Sequence, residues 1–177
     1  MTRIDDYKMI STKKGDKGTS KNYSNEAFSK SDTVFDTLGV LDELSSFLGL
    51  SYHYTPFKDD IKTIQTTIQH INSLIATNPD DTKKRNLAQI SDEDIDKLEA
   101  IEARAINDTN IQPKFVLPGS ESTKPGAYLG VCRALARKAE RQVNRFYEVK
   151  QRDKNDLLLA YLNRLSDVLF ILARSQD

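Results

Sequence analysis

Residues Asn155 to Arg174 read NDLLLAYLNRLSDVLFILAR, and the reading of this stretch decides the fold. Apolar side chains occupy nearly every direction around the helix it would form, the pattern of a helix buried on most sides. Such a helix needs other elements packed around it, and the rest of the chain must supply them. Four of the polar residues that interrupt the pattern fall in line. Asp156, Asn163, Asp167 and Arg174 recur at steps of seven, four and seven, so they share one narrow stripe. A buried polar group without a partner costs about 1–3 kcal/mol, so the stripe is predicted to face an interface, another polar helix or a ligand. A structural pair, such as Asp167 with an arginine of the preceding helix, satisfies that requirement as well as a ligand would.

Working outward, helical periodicity dominates from Phe35 onward. In TLGVLDELSSFLGL, Leu38, Leu41, Leu44 and Leu48 form one stripe and Asp42 lies off it. A second helix is predicted from about Asp60 to Thr77, where Ile61, Ile64, Ile68, Ile71 and Ile75 repeat at three- and four-residue steps. NPDDTKKRN, Asn78 to Asn86, is polar and contains Pro, which makes it a loop. Ser91 followed by Asp94 resembles a capping box and opens a third helix carrying Ile95, Leu98 and Ile106. From Asp108 to Thr123 the pattern breaks, with Pro113 and Pro118-Gly119 bracketing an extended KFVL. A fourth helix is predicted from about Ala127 to Lys150 and a fifth from Asn155 to Ser175. Five helices with no evident strand pair indicate an all-α bundle in one domain, residues 1–177. Residues 1–33 differ in kind from the helical bundle of residues 34–177: they are rich in Gly, Lys and Ser, and form either a disordered tail or a loop that orders around something.

The chain has 177 residues, 38% hydrophobic and 29% charged, which suits one ordinary domain with a real core. Lys plus Arg number 26, as do Asp plus Glu, so no global field draws the protein to nucleic acid or anionic lipid. Its longest apolar run, Leu157 to Leu162, falls well short of the ~20 residues that span a bilayer. A lone Cys132 and a start without a secretory or transit pattern predict an intracellular protein.

Two segments carry candidate chemistry. In STKKGDKGTS, Ser11 to Ser20, Gly15 and Gly18 let backbone N–H groups converge. Lys13, Lys14 and Lys17 add charge, and Thr12, Thr19 and Ser20 add hydroxyls, a kit for gripping phosphate oxygens. Composition alone equally allows a solvated basic tail. In CRALARKAERQVNRF, Arg133, Arg137, Arg141 and Arg145 stand four apart, with Glu140 and Asn144 beside them. Like charges at that spacing each oppose a helix by ~0.2–0.5 kcal/mol, so the ladder is expected to meet anions or acids. Other chemistries are excluded. His53 and His70 are in no E-x-x-H pair, which rules out a ferritin-like di-iron site; they and Cys132 form no zinc spacing.

TKKGDKGTS (12–20), GVLDELSSFLG (39–49), KFVLPG (114–119), CRALARKAER (132–141) and LNRLSDVLFILAR (162–174) occur in this order. Together these blocks resemble the PduO-type ATP:corrinoid adenosyltransferases across roughly Ser11 to Arg174, least in Tyr54 to Asp92. The resemblance implies a five-helix bundle of ferritin-like, up-down topology with an N-terminal nucleotide-binding loop that orders on binding. It implies a homotrimer with sites between subunits, ATP and cobalamin or another corrinoid as substrates, Mg²⁺ as cofactor, no metal site of its own, and neither nucleic acid nor membrane as partner. A cytoplasmic location is implied, or a mitochondrial one if a transit segment has been removed.

Carried residue by residue, Thr12, Lys13, Gly15, Asp16, Lys17, Gly18 and Thr19 match the family's ATP loop, and Lys30 matches a lysine near the triphosphate. Arg137 matches the phosphate-contacting arginine, while Glu140 and Asn163 match further nucleotide contacts. Asp42 and Arg133 match an intersubunit salt bridge, and Phe115 matches the aromatic that displaces the lower ligand of cobalt. The chain departs from the family at Val34, where an arginine is usual, at Leu38 for an aromatic, and at Lys138 for an arginine. It also lacks a Gly-Gly after the ATP loop and the second Gly of PGG. The expected activity is transfer of the 5′-deoxyadenosyl group of ATP to reduced cobalt; the rival is a catalytically weak trimeric relative that binds nucleotide or corrinoid as a sensor or carrier.

Overall fold

A computed structural model of the chain describes residues 6, 10–82, 86–107, 109, 111 and 116–177. The elements in order are β1 (Thr19–Lys21), β2 (Ala27–Ser29), α1 (Thr33–Tyr52), α2 (Lys58–Ile75), α3 (Asp92–Asn107), α4 (Lys124–Val149) and α5 (Asp156–Arg174). The five helices expected from periodicity are all present, with ends within a few residues of the expected ones. Their limits follow local chemistry. Asp32, Thr123 and Asn155 cap α1, α4 and α5 by accepting from Val34, Gly126 and Leu158 N–H groups. At α3 the Ser91 hydroxyl and N–H both donate to the Asp94 carboxylate, the return arm of a capping box.

α4 is central, packing on α1 along one side and on α5 along the other, while α2 covers α1 and α3 covers α5. Gln142 reaches Thr33 and Thr37, whereas Cys132 meets Ser51, so α1 and α4 run antiparallel. Leu41, Leu44 and Leu48 of α1, all five isoleucines of the α2 stripe, and Leu158, Leu162, Leu165 and Leu169 of α5 are buried together. Such burial is the main force holding the bundle, at ~1.5–3 kcal/mol for each large apolar side chain. Among the described residues no helix is long and apolar enough to cross a membrane.

The structure corrects one expectation and adds detail to two others. A strand pair does exist: β1 and β2 pair antiparallel, with Thr19 opposite Ser29 and Lys21 opposite Ala27. Strands of three residues, in which only Ser20 and Phe28 are partly covered, are too short for periodicity to reveal. Ile106 is 45% exposed rather than on the core face of α3. In the polar stripe of α5, Arg174 is largely buried and Asn163 meets Glu140 of α4, a polar partner of the kind expected. Asp156, Asn163 and Asp167 are exposed, and Asp167 pairs with no arginine of α4 among the described residues.

Candidate functional site

The N-terminal segment is built onto one end of the bundle. Between β1 and β2, Asn22 and Glu26 close a turn: Glu26 N–H donates to Asn22 Oδ1 at 2.9 Å and Asn22 Nδ2 donates to Glu26 Oε2 at 2.6 Å. The turn is fastened to the end of α2, where Tyr23 N–H donates to Ala76 O and Asn78 Nδ2 donates to Glu26 Oε1. Asn25 takes a left-handed φ of 62°, which its short side chain tolerates.

Ahead of β1, a tight turn folds residues 13–18 back on themselves, with Asp16 N–H donating to Lys13 O and Gly18 N–H to Gly15 O. Gly18 has φ 77°, a conformation costly for residues with a Cβ. Lys30 N–H donates to Gly18 O at 2.8 Å, so the residue after β2 lies directly beside the turn. Its ammonium occupies the space over Gly15: a Cβ there would stand 3.0 Å from Lys30 Nζ. Thr12, Lys13, Asp16, Lys17, Gly18 and Thr19 are exposed around this point. The structure thus brings Lys30 together with the Gly15–Gly18 turn, and the residues around it supply amide and hydroxyl donors with several cations.

On α4, Arg137, Arg141 and Arg145 are exposed and Arg133 is half-buried; none of the four is paired among the described residues. The carboxylate Oε1 of Glu140 accepts from Asn163 Nδ2 at 3.2 Å, joining two of the expected nucleotide contacts across α4 and α5. Lys138, in place of an arginine, pairs with Glu43 of α1 at 2.8 Å. Val34 is only 1% exposed, so this position is committed to the core and could not hold an arginine without rearrangement.

A groove of about 540 Å³ lies beside the ladder, between the loop that precedes α4 and the facing sides of α4 and α5. Val116, Pro118, Val131, Leu135 and Phe170 give it apolar walls, and Arg133 is on its rim. At one end Arg174 is only 12% exposed and faces Asp177 at 3.0 Å and Glu121 at 3.6 Å. One of its nitrogens makes no well-aligned hydrogen bond, so these are charge contacts rather than a saturated network. Phe115 lies outside the described residues. Asp42 is exposed, in a separate polar groove of about 410 Å³ that Ser45, Lys62, Gln65 and Asn72 share, and Asn72 Oδ1 has no partner there. Asp42 and Arg133 do not meet within this chain.

Sequence reasoning missed the residues that hold the loop: Glu26, Asn78, Lys150 and Arg152. Their signal is purely spatial, since Asn78 and Glu26 are 52 positions apart. Cys132 is a packing residue, as expected; burial pushes its thiol up to about 11, against the lowering influence of Ser51.

Residues 10–176 match the protein family described as cobalamin adenosyltransferase. The chain is 35% identical to the corrinoid adenosyltransferase MMAB of Bos taurus, over 93% of this chain and 70% of the relative. It is 33% identical to the corrinoid adenosyltransferase PduO of Salmonella typhimurium, over 95% of this chain and 49% of that one. Among solved structures, a variant of the PduO-type ATP:corrinoid adenosyltransferase from Lactobacillus reuteri, complexed with cobalamin and ATP, superposes with a TM-score of 0.83 at 27% identity, covering 94% of this chain and 92% of the other.

Proposed function

This chain belongs to the cobalamin adenosyltransferase family, and from that premise we propose how its own residues carry out the reaction. The protein transfers the 5′-deoxyadenosyl group of ATP to the cobalt of a reduced corrinoid, forming adenosylcobalamin and releasing triphosphate. One observation supports the assignment of roles: within the family match over residues 10–176, the Lys30 ammonium sits over Gly15 of the N-terminal turn.

The cobalt(I) of the substrate is itself a strong nucleophile, so no side chain need act as a base. Its electron pair forms the bond to C5′, the bond from C5′ to the bridging oxygen breaks, and that pair leaves on the triphosphate. What the protein supplies is alignment of the two reactants and stabilisation of the charge that grows on the leaving group. Lys13, Lys17, Lys30 and the amides of the Gly15–Gly18 turn hold the phosphates, with Thr12, Asp16 and Thr19 ordering the turn. Arg137 meets the departing oxygens, and Glu140 with Asn163 positions the nucleoside. The apolar groove beside Val116 and Phe170 receives the corrin and keeps water from its lower face, the role assigned to Phe115.

Arg137 and the phosphate turn lie at different levels of one bundle, although the ladder's last member, Arg145, is only five residues from Lys150. Lys150, which adjoins the hairpin, is thirteen residues along α4 from Arg137, about 20 Å by helical rise. That separation supports a site completed by a neighbouring copy in a homotrimer, with Asp42 in its polar groove receiving Arg133 of that copy. Among the described residues no cluster of three His, Cys, Asp or Glu could hold a metal ion. Mg²⁺ is read as entering on the phosphates of ATP, the usual way a hard cation that keeps several waters is held.

The test is anaerobic mixing of cob(I)alamin with ATP and the protein. Conversion to the spectrum of adenosylcobalamin, with triphosphate released in equal amount, is expected. ATP binding without conversion would replace this reading by the sensor or carrier.

A further inference from the structure

The six-residue link between α4 and α5, residues 150–155, holds the N-terminal hairpin directly through Lys150 and indirectly through Arg152. Lys150, the C-cap of α4, places Nζ 2.7 Å from Asp32 Oδ2 and 4.7 Å above the ring of Phe28. Phe28 belongs to β2 and Asp32 caps α1, so the two contacts bracket Lys30 from both sides along the chain. Asp32 N–H also donates to Ser29 O, tying the bracket into one short arch whose middle residue is Lys30. Two residues further on, Arg152 donates to Thr77 O at 3.1 Å while its guanidinium lies 4.9 Å from the Phe146 ring. It thereby secures the end of α2 to which the hairpin turn is fastened.

Exposure indicates that the Lys150 pair is more than a surface ornament. The side chains of Lys150 and Asp32 are only 22% and 21% exposed, whereas the pair formed by the nearby Lys154 with Glu148 is 45% and 67% exposed. A partly buried pair keeps more of its strength than a solvated one. Lys150 does not face the phosphate turn itself. Its charge is spent on Asp32, and its effect on the nucleotide passes through the arch to Lys30 and so to the space over Gly15.

We propose that Lys150 is a positioning residue of the ATP half-site, fixing the arch that sets Lys30 over the Gly15–Gly18 turn. This rests on the function given above, in which Lys30 and that turn hold the triphosphate. Losing the Lys150 charge releases Phe28 and Asp32 together and lets Lys30 sample other directions; the corrin groove at the far part of α4 is untouched.

The experiment compares Lys150→Met, Lys150→Arg and the exposed control Lys154→Met by steady-state kinetics, varying ATP and cob(I)alamin separately, with thermal melting alongside. Lys150→Met is expected to raise KM for ATP about tenfold, the loss of one charged hydrogen bond, and to leave KM for the corrinoid within about twofold. Lys150→Arg should recover most of the loss, and Lys154→Met should change neither constant. An unchanged KM for ATP, an equal rise in both KM values, or the same rise in Lys154→Met would overturn the proposal. If the unaltered protein forms no adenosylcobalamin, the reaction falls, but ATP titration calorimetry without corrinoid still decides the role of Lys150. Weaker ATP binding by Lys150→Met supports it there, and equal binding, or no binding by the unaltered protein, overturns it.

Discussion

At the scale of single residues, the proposed reaction gives Gly15 and Arg137 different parts of the same task. A Cβ at Gly15 would press on Lys30 Nζ, the free end of a flexible side chain, so Gly15→Ala should leave the fold intact and move the lysine. Weaker ATP binding with an unchanged melting temperature is expected, measured by calorimetry and thermal denaturation; unchanged affinity would show that Lys30 does not act from that position. Arg137→Ala should cost about 10²–10³ in kcat/KM, the effect of removing a charged donor to a developing anion, and an unaltered rate would refute its role. The ladder and the Gly-Lys turn were legible because their residue types repeat at short spacing. Val34 was legible only as a departure, and its burial explains why: the position packs into the core instead of facing a phosphate.

At the scale of elements, the hairpin and the start of α1 depend on Asp32. Burial alone would raise its carboxyl, but the Lys150 hydrogen bond, the Val34 N–H and the Lys150 charge outweigh burial and hold it below the ordinary carboxylate value. A carboxyl lowered by folding contributes stability above its unfolded pKa and loses that contribution as pH falls through the folded value. Asp32→Asn should therefore be less stable than the unaltered protein at neutral pH, with the gap closing below about pH 4; chemical denaturation across pH reads this, and a gap independent of pH would contradict it. Ile68, fully buried in α2, should cost about 2–5 kcal/mol when replaced by Ala, checked by the same denaturation. Helices were readable at this scale because a buried stripe repeats over fifteen or more residues of α2 or α5. The hairpin escaped notice because its anchors, Glu26 to Asn78 and Lys150 to Asp32, join distant parts of the chain. The α5 stripe was legible as polar positions in need of partners: Asn163 meets Glu140 of α4, and Asp167 is exposed on the single bundle.

At the scale of the whole molecule, the proposed sharing of each site between a turn and a ladder of different copies requires assembly. Sedimentation should give a particle of about three times the 20.1 kDa chain. Asp42→Arg or Arg133→Asp alone should loosen it, and the two changes combined should restore part of the association; a monomer for the unaltered protein would end the shared-site account. Complementation measures that account most directly. Lys30→Met disables the turn and Arg137→Ala disables the ladder, so each variant alone should be nearly inactive. Dissociated, mixed in equal amounts and reassembled, they should recover about one quarter of the native adenosylation rate, because each site draws its turn and its ladder from different copies. A mixture no more active than its components would mean that one chain carries both halves.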